Sequence, residues 1–371
     1  MNVYIPLALI LALICAFSQS SNKRAQYAFV LSMFATFIFA AVRYQFGPDY
    51  DSYWNIFYNI KGSDVSNYTG TGSSAETWFL HFIELFPTYT AFIVCSTFLW
   101  FGVNFLFLNK YLYKQQSWIF ILYFFFNSTY FSLSLVAMRS AMAAYIFLAA
   151  FMFLIKGGKR NQLIYVLLVL IASQFHTSTL PFVILVFLNN KNRSIVFSKW
   201  IITGVAAIAL VSILLGHNYI VEYLGNKLID SVDSLSKYSE GQGTSLGVVG
   251  SSLNSIIFLG MSTFIAFYLS QAGFKESDPR FVYIYKVAVL ASLIQMLLGQ
   301  SLISDRFFLY LNPIYITAFI HSQRSSNRQY FYATMLLIFV ISLYIFASKM
   351  GQDYSISFRT YQTIFSAPYI P

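Results

Sequence analysis

Apolar runs recur along the chain at lengths suited to crossing a bilayer, where a helix needs roughly 20 apolar residues. They fall near residues 3–20, 27–42, 88–108, 117–135, 137–155, 161–175, 177–189 and 200–216, and again near 251–270, 281–299, 304–320 and 330–348. The pattern predicts twelve membrane spans, of which the one ending at Asn189 is short. Two polar intervals are long: Arg43 to Pro87, and His217 to Gly250 with its Gly- and Ser-rich stretch EGQGTSLGVVG. Loops of such length usually carry function or lack fixed structure. Inside the first, Ser73 and Glu76 have capping-box spacing before TWFLHFIELF, whose Trp78, Phe79, Phe82 and Phe86 fit one helix face. That stretch is too short to span, so an interfacial or re-entrant helix is expected there.

Composition agrees with this picture. Hydrophobic residues make up 58% of the 371 and charged residues 10%, against about 25% charged in an ordinary soluble domain. The surplus must face lipid or other apolar helices, so the fold class is an all-α polytopic membrane protein. A formal charge of +10 would point to a polyanion if the basic residues were clustered, but the 23 Lys and Arg lie in twos and threes between apolar runs. Topology explains them, and no nucleic-acid partner is expected. Every second loop is basic: alternate loops hold fourteen Lys and Arg (residues 23, 24, 110, 114, 156, 159, 160, 191, 193, 199, 275, 280, 324 and 328), the other set holds eight, and Lys286 lies inside a span. Eleven of the thirteen acids fall on the less basic side. Because Lys- and Arg-rich loops stay cytoplasmic, both termini and both long loops are expected on the outer side of the membrane. Lys23 and Arg24 follow the first run instead of preceding it, the reverse of a signal peptide. Cys15 and Cys95 sit in apolar runs as packing residues, and Lys286 is expected to snorkel. With no repeat and no linker, 1–371 reads as one membrane domain with outer loops near 43–87 and 217–250.

Charge at membrane depth costs about 2.5–3.5 kcal/mol on insertion scales, so each polar group there calls for a reason. The exit of the second run, RYQFGPDYDSYWNIF, offers Arg43, Gly47, Asp49, Tyr50, Asp51 and Tyr53. A cation, a Gly-Pro turn and two acids among aromatics suit a polar, ring-shaped ligand at the interface, or an aromatic anchor belt. Arg139 lies among Ala137, Ser140, Ala141, Ala143 and Ala144, small residues that let helices approach closely. Its planar fork of donors suits a phosphate or carboxylate; the alternatives are snorkelling or a packing ion pair. His176, beside Thr177, Ser178 and Pro181, ends a span where a neutral imidazole can take a proton from a hydroxyl or cap a helix break. In SDRFFLYLNP, Asp305 and Arg306 enter a span with Tyr310 one turn on, either as a local pair or with Arg306 as a further anion ligand. The histidines form no metal-ligand spacing, so neither metal nor cofactor is expected, and no Walker A loop, dinucleotide motif or GxSxG elbow is present. Three arginines and one base fit an anionic lipid headgroup with a hydroxyl acceptor.

These blocks, in this order, resemble the EpsG-type branch of the bacterial polysaccharide polymerases, the Wzy group. RYQFGPDYDSYWNIF resembles the family's Arg, Gly-x-Asp-Tyr and Tyr block, and SSAETWF its Glu-containing helix entry. MRSAMAAYIFLAA, ASQFHTSTLPF and DRFFLY resemble its Arg, Phe-His and late Arg-Tyr blocks. Pro48 and Ser140 depart from the pattern. The resemblance implies inverting, metal-independent glycosyl transfer on undecaprenyl diphosphate-linked glycans at the outer, periplasmic face of the bacterial cytoplasmic (inner) membrane, building O-antigen, capsule or exopolysaccharide. His176 would be the base, Arg139, Arg43 and Arg306 the diphosphate ligands, and Asp49, Tyr50 and Tyr53 would hold sugar or orient Arg43. Membrane lipid, a chain-length regulator and a flippase are the partners it implies. The competing readings are a lipid-linked oligosaccharide flippase or exporter, whose polar path should line both halves of the membrane, and an O-antigen ligase.

Overall fold

A computed structural model describes residues 4–47, 49–62, 74–127, 130–188, 196–214, 252–298, 302–324, 327–350 and 362–363. The His217–Gly250 interval, Pro48 and Ser73 lie outside them. Among the described residues the structure is helical except for one two-residue strand pair. Five helices among the described residues are long and apolar enough to cross a membrane: Asn22–Ala41, Tyr89–Tyr111, Met138–Lys156, Ser255–Lys275 and Pro279–Leu298.

The chain forms two compact units. The first comprises Met1–Phe153, Gly158–Val183 and Phe339–Pro371. It contains α1 (Tyr4–Phe17), α2 (Asn22–Ala41), β1 (Arg43–Tyr44), α3 (Tyr50–Gly62), α4 (Ser74–Glu84), α5 (Tyr89–Tyr111), α6 (Ser117–Phe126), α7 (Phe131–Val136), most of α8 (Met138–Lys156), and α9 (Lys159–Ser173). Helix α1 packs on α2 and α6, α2 on α5, and α3 on α4. Aromatic rings fill these seams, with Phe29 between Phe105 and Phe120 and Phe37 between Phe98 and Phe101. Outside, Leu9, Ile10, Leu13 and Phe17 stand exposed on α1, a face that suits lipid and not water.

The second unit, Leu154–Gly157 with Ile184–Ile338, contains α10 (Leu185–Leu188), α11 (Lys199–Leu214), α12 (Ser252–Lys275), α13 (Pro279–Leu298), α14 (Leu302–Ser322) and half of α15 (Arg328–Met350). Its centre is α13, with thirteen of twenty residues buried and α11, α12 and α14 against it. Gly273 permits that approach: a Cβ there would stand 2.7 Å from the Tyr285 Cβ. Lys286 does not snorkel. It is 4% exposed and donates to the Leu188 carbonyl at 3.1 Å, which satisfies one of the orphan acceptors at the end of α10. On α11 only Ile202 and Ala209 are buried, while Trp200, Ile208, Val211 and Leu214 are exposed.

Helices occupy the predicted apolar runs, with three differences. The 117–135 run is broken: α6 stops at Asn127, whose side-chain oxygen and carbonyl accept from the Tyr130 N–H. This local competition by Asn is what turns a chain. The 177–189 run is mostly a 3₁₀ helix, Thr177–Ile184, with Pro181 inside it; proline removes the donor an α-helix needs there. The first long loop holds two helices instead of one, α3 and the expected α4.

Candidate active site

After α2 the chain turns sharply. Arg43–Tyr44 pairs as β1 with β2 (Gln362–Thr363), Gln45 has φ 48° and Gly47 φ 89°. Only Gly suits the latter position, because a Cβ would stand 2.2 Å from Val136 Cγ2. Phe46 is buried edge-on to Phe131. The Asp49 carbonyl then accepts from the Tyr53 N–H at 3.0 Å and opens α3. Tyr50, Tyr53, Phe57 and Ile60, at helical spacing, form its buried face.

Arg43 is 2% exposed and turned inward, its Nη1 donating to the Ala40 carbonyl at 2.6 Å and to Thr97 Oγ1 at 2.7 Å. Thr97 in turn donates to the Ile93 carbonyl. A cavity of about 10 Å³ beside it is lined by Arg43, Ser96, Thr97, Ser134 and Tyr145, near the lower limit for one water. Tyr50 meets Tyr44 and Tyr89 edge-on and accepts from the Tyr89 hydroxyl through its carbonyl at 3.2 Å. Burial pushes the Tyr50 hydroxyl above its usual value, Tyr44 adds to this, and Arg43 pulls it down.

Arg139 stands half-buried in the first turn of α8. It donates to the Tyr53 hydroxyl from both side chain and backbone. Burial raises the Tyr53 hydroxyl above the ordinary phenol value; Arg139 opposes the rise and the exposed Asp49 adds to it. Arg139, Tyr53 and Asp49 therefore interact. His176, half-buried after α9, holds its Nδ1 2.5 Å from Ser178 Oγ. Its neighbour Phe175 meets Phe82 edge-on, and Phe79, one turn earlier on α4, meets Tyr53. Helix α4 thus touches both Tyr53 and the His176 turn.

Arg43, Asp49, Tyr50, Tyr53, Arg139 and His176 all belong to the first unit, whereas Asp305, Arg306 and Tyr310 lie on α14 of the second. Asp305 and Arg306 are half-buried and Tyr310 is 1% exposed. Among the described residues no group of three or more His, Cys, Asp or Glu is placed to hold a metal. Three features escape sequence reasoning: Thr97 under Arg43, the hydrogen bond between Ser178 and His176, and the strand at Gln362–Thr363. Ser178 was in view two residues from His176, while Thr97 is one hydroxyl in an apolar run with nothing to mark it.

The model of the EpsG family matches residues 26–363. The chain belongs to the EpsG family. EpsG is a Wzy-like polysaccharide polymerase family, so the protein has a polysaccharide polymerase-type role in a membrane. Comparison with curated proteins and with solved structures finds no match. The blocks around Arg43, Arg139 and His176 all fall inside the EpsG match, as does β2.

Proposed function

We propose that this EpsG-family chain joins undecaprenyl diphosphate-linked oligosaccharide repeat units on the outer face of the bacterial cytoplasmic membrane, building O-antigen or capsule. The observation that carries the reading is Arg139, held on the Tyr53 hydroxyl with Asp49 beside them. A permanently charged, pre-oriented fork of donors is what a departing diphosphate needs. In this mechanism His176 removes the proton of the acceptor hydroxyl. The oxygen attacks the anomeric carbon from the face opposite the diphosphate, the glycosyl–oxygen bond breaks with inversion, and undecaprenyl diphosphate leaves with the electron pair. For Nε2 to act as base, Nδ1 must hold the proton and donate to Ser178 Oγ, 2.5 Å away, which requires the Ser178 backbone N–H that donates to Nδ1 at 3.4 Å to give it up. Arg139 neutralises the developing charge. Arg43, turned inward, adds its charge from behind the turn. Arginine charge takes the place of a divalent cation, so activity is metal-independent. Asp49, Tyr50 and Tyr53 line the sugar side.

Twelve spans with both termini outside accompany this reading. The strand pair supports the parity, because paired segments share one side of the membrane and an even number of crossings must separate Tyr44 from Gln362. Ten of the expected spans lie between them. The protein partners are the flippase that delivers the repeat units and a chain-length regulator.

Cells lacking the gene, complemented with the intact protein, Arg139→Ala or His176→Ala at matched membrane abundance, test the function on a surface-polysaccharide gel. The expected result is a single repeat unit without the gene and a ladder only with the intact protein. Repeat units that never reach the surface would favour the flippase or ligase readings instead.

A further inference from the structure

We infer that the segment at Gln362–Thr363 is a working part of the same centre: by pairing with Arg43–Tyr44 it positions the turn that carries Asp49 and Tyr50. The inference rests on the function proposed above for that turn. Arg43 lies opposite Thr363 and Tyr44 opposite Gln362 in antiparallel register. A two-residue ladder is weak by itself, but it is attached to a strained piece of backbone. Gln45 and Gly47 both have positive φ, and Gln45 pays a side-chain clash for it. Conformations of this kind persist only where the surroundings over-determine them. On the far side of the turn, Phe46 on Phe131 and Gly47 on Val136 hold it. On the near side the holding contacts are the ladder with β2 and the Arg43 bonds to Ala40 and Thr97.

The residues just beyond the turn carry the candidate chemistry. The Gly47 carbonyl accepts from the Tyr50 N–H, the Asp49 carbonyl from the Tyr53 N–H, and the Tyr53 hydroxyl from Arg139. Movement at Tyr44 is therefore transmitted through a short, bonded path to Arg139. The family match extends to residue 363 and so includes β2, although residues 351–361 separate it from α15. Gln362 and Thr363 act as positioning residues in this account, through backbone groups.

The test uses cells lacking the gene, complemented with the intact chain, a chain ending after residue 365, and one ending after residue 358. The surface ladder, lipid-linked single repeats, membrane abundance and the melting temperature of the detergent-purified protein are read for each. We expect the longer truncation to restore the ladder. The shorter one should lower polymerisation at least about tenfold, the scale of a sub-ångström to 1 Å misplacement, with abundance and melting temperature kept. If the shorter chain is degraded, the full-length double variant Gln362→Pro/Thr363→Pro gives the same reading, since it removes whichever N–H joins the ladder. Intact-level polymerisation by the shorter chain or by the double variant overturns the inference. Pairing is read separately by mass spectrometry of an oxidised Tyr44→Cys/Gln362→Cys chain in a Cys95→Ser background. Opposed antiparallel residues have Cα atoms about 4.5–5.5 Å apart, within disulfide range. No cross-link overturns the pairing. A cross-link in a chain whose intact form restores no ladder withdraws the polymerase reading and leaves the pairing standing.

Discussion

Replacing Gly47 by Ala puts the account of the turn at risk with a single methyl group. At φ 89° an L side chain meets its own backbone, a cost of about 1–2 kcal/mol. The added Cβ would also stand 2.2 Å from Val136 Cγ2 and 3.2 Å from Val136 Cβ and Cγ1. Overpacking of that kind costs about 1–3 kcal/mol, so the total is about 2–5 kcal/mol. Relief requires Cβ and Cγ2 to separate by about 1 Å or more, and since α7 and α8 carry Val136 and Arg139 only three residues apart, either partner's retreat disturbs the centre. A displacement of about 1 Å costs about 100-fold in rate. The assay is repeat-unit polymerisation in complemented cells, with the melting temperature of the purified protein alongside. Adding Val136→Ala removes both Cγ atoms and should recover the steric part of the loss, leaving the φ cost. Gly47→Ala with intact polymerisation and unchanged melting would refute the reasoning.

Tyr53→Phe keeps the ring on Phe79 and removes only the hydroxyl that Arg139 bonds. A hydrogen bond to a charged group contributes about 1.5–3 kcal/mol to stability, so the melting temperature should fall by several degrees and polymerisation at matched abundance should drop about 10- to 100-fold, and an unchanged rate would remove Tyr53 from the account. Ser178→Ala removes the hydroxyl that can accept from His176 Nδ1 and leaves the backbone N–H of residue 178 donating to it, which favours the tautomer with its proton on Nε2; the rate should fall by about tenfold, whereas an unchanged rate argues against a base at His176. Lys114 Nζ donates to the Leu108, Asn109 and Leu112 carbonyls at the end of α5, and burial lowers its amine from 10.5 to about 8. The unfolded chain then binds more protons between those values, so melting temperature should rise with pH from about 8 to about 10.5, and Lys114→Met should reduce that slope.

Hydropathy alone located nearly every long helix, because a run of apolar residues near 20 long has few other fates. It overran Asn127 and Pro181, where one side chain or one missing N–H outweighs the apolar neighbours. Helix α3 was readable too: Tyr50, Tyr53, Trp54, Phe57 and Ile60 recur at helical spacing, masked by the acids and the Gly-Pro turn ahead of them. Asp49, Tyr53 and Arg139 were singled out by type and motif, but the bond of Arg139 to the Tyr53 hydroxyl joins residues far apart in sequence. The inward turn of Arg43 depends on Thr97, 54 residues away, and no local pattern encodes it. The strand at Gln362–Thr363 is shorter still than any periodicity can register.

The central claim, that this chain polymerises lipid diphosphate-linked repeats, is met most directly by the purified protein in proteoliposomes. Lipid-linked repeat units extracted from cells lacking the gene serve as both donor and acceptor, with a chelator present. The account predicts longer lipid-linked glycans with one undecaprenyl diphosphate released per bond formed, and neither with Arg139→Ala. Unextended repeats with intact, folded protein would contradict it.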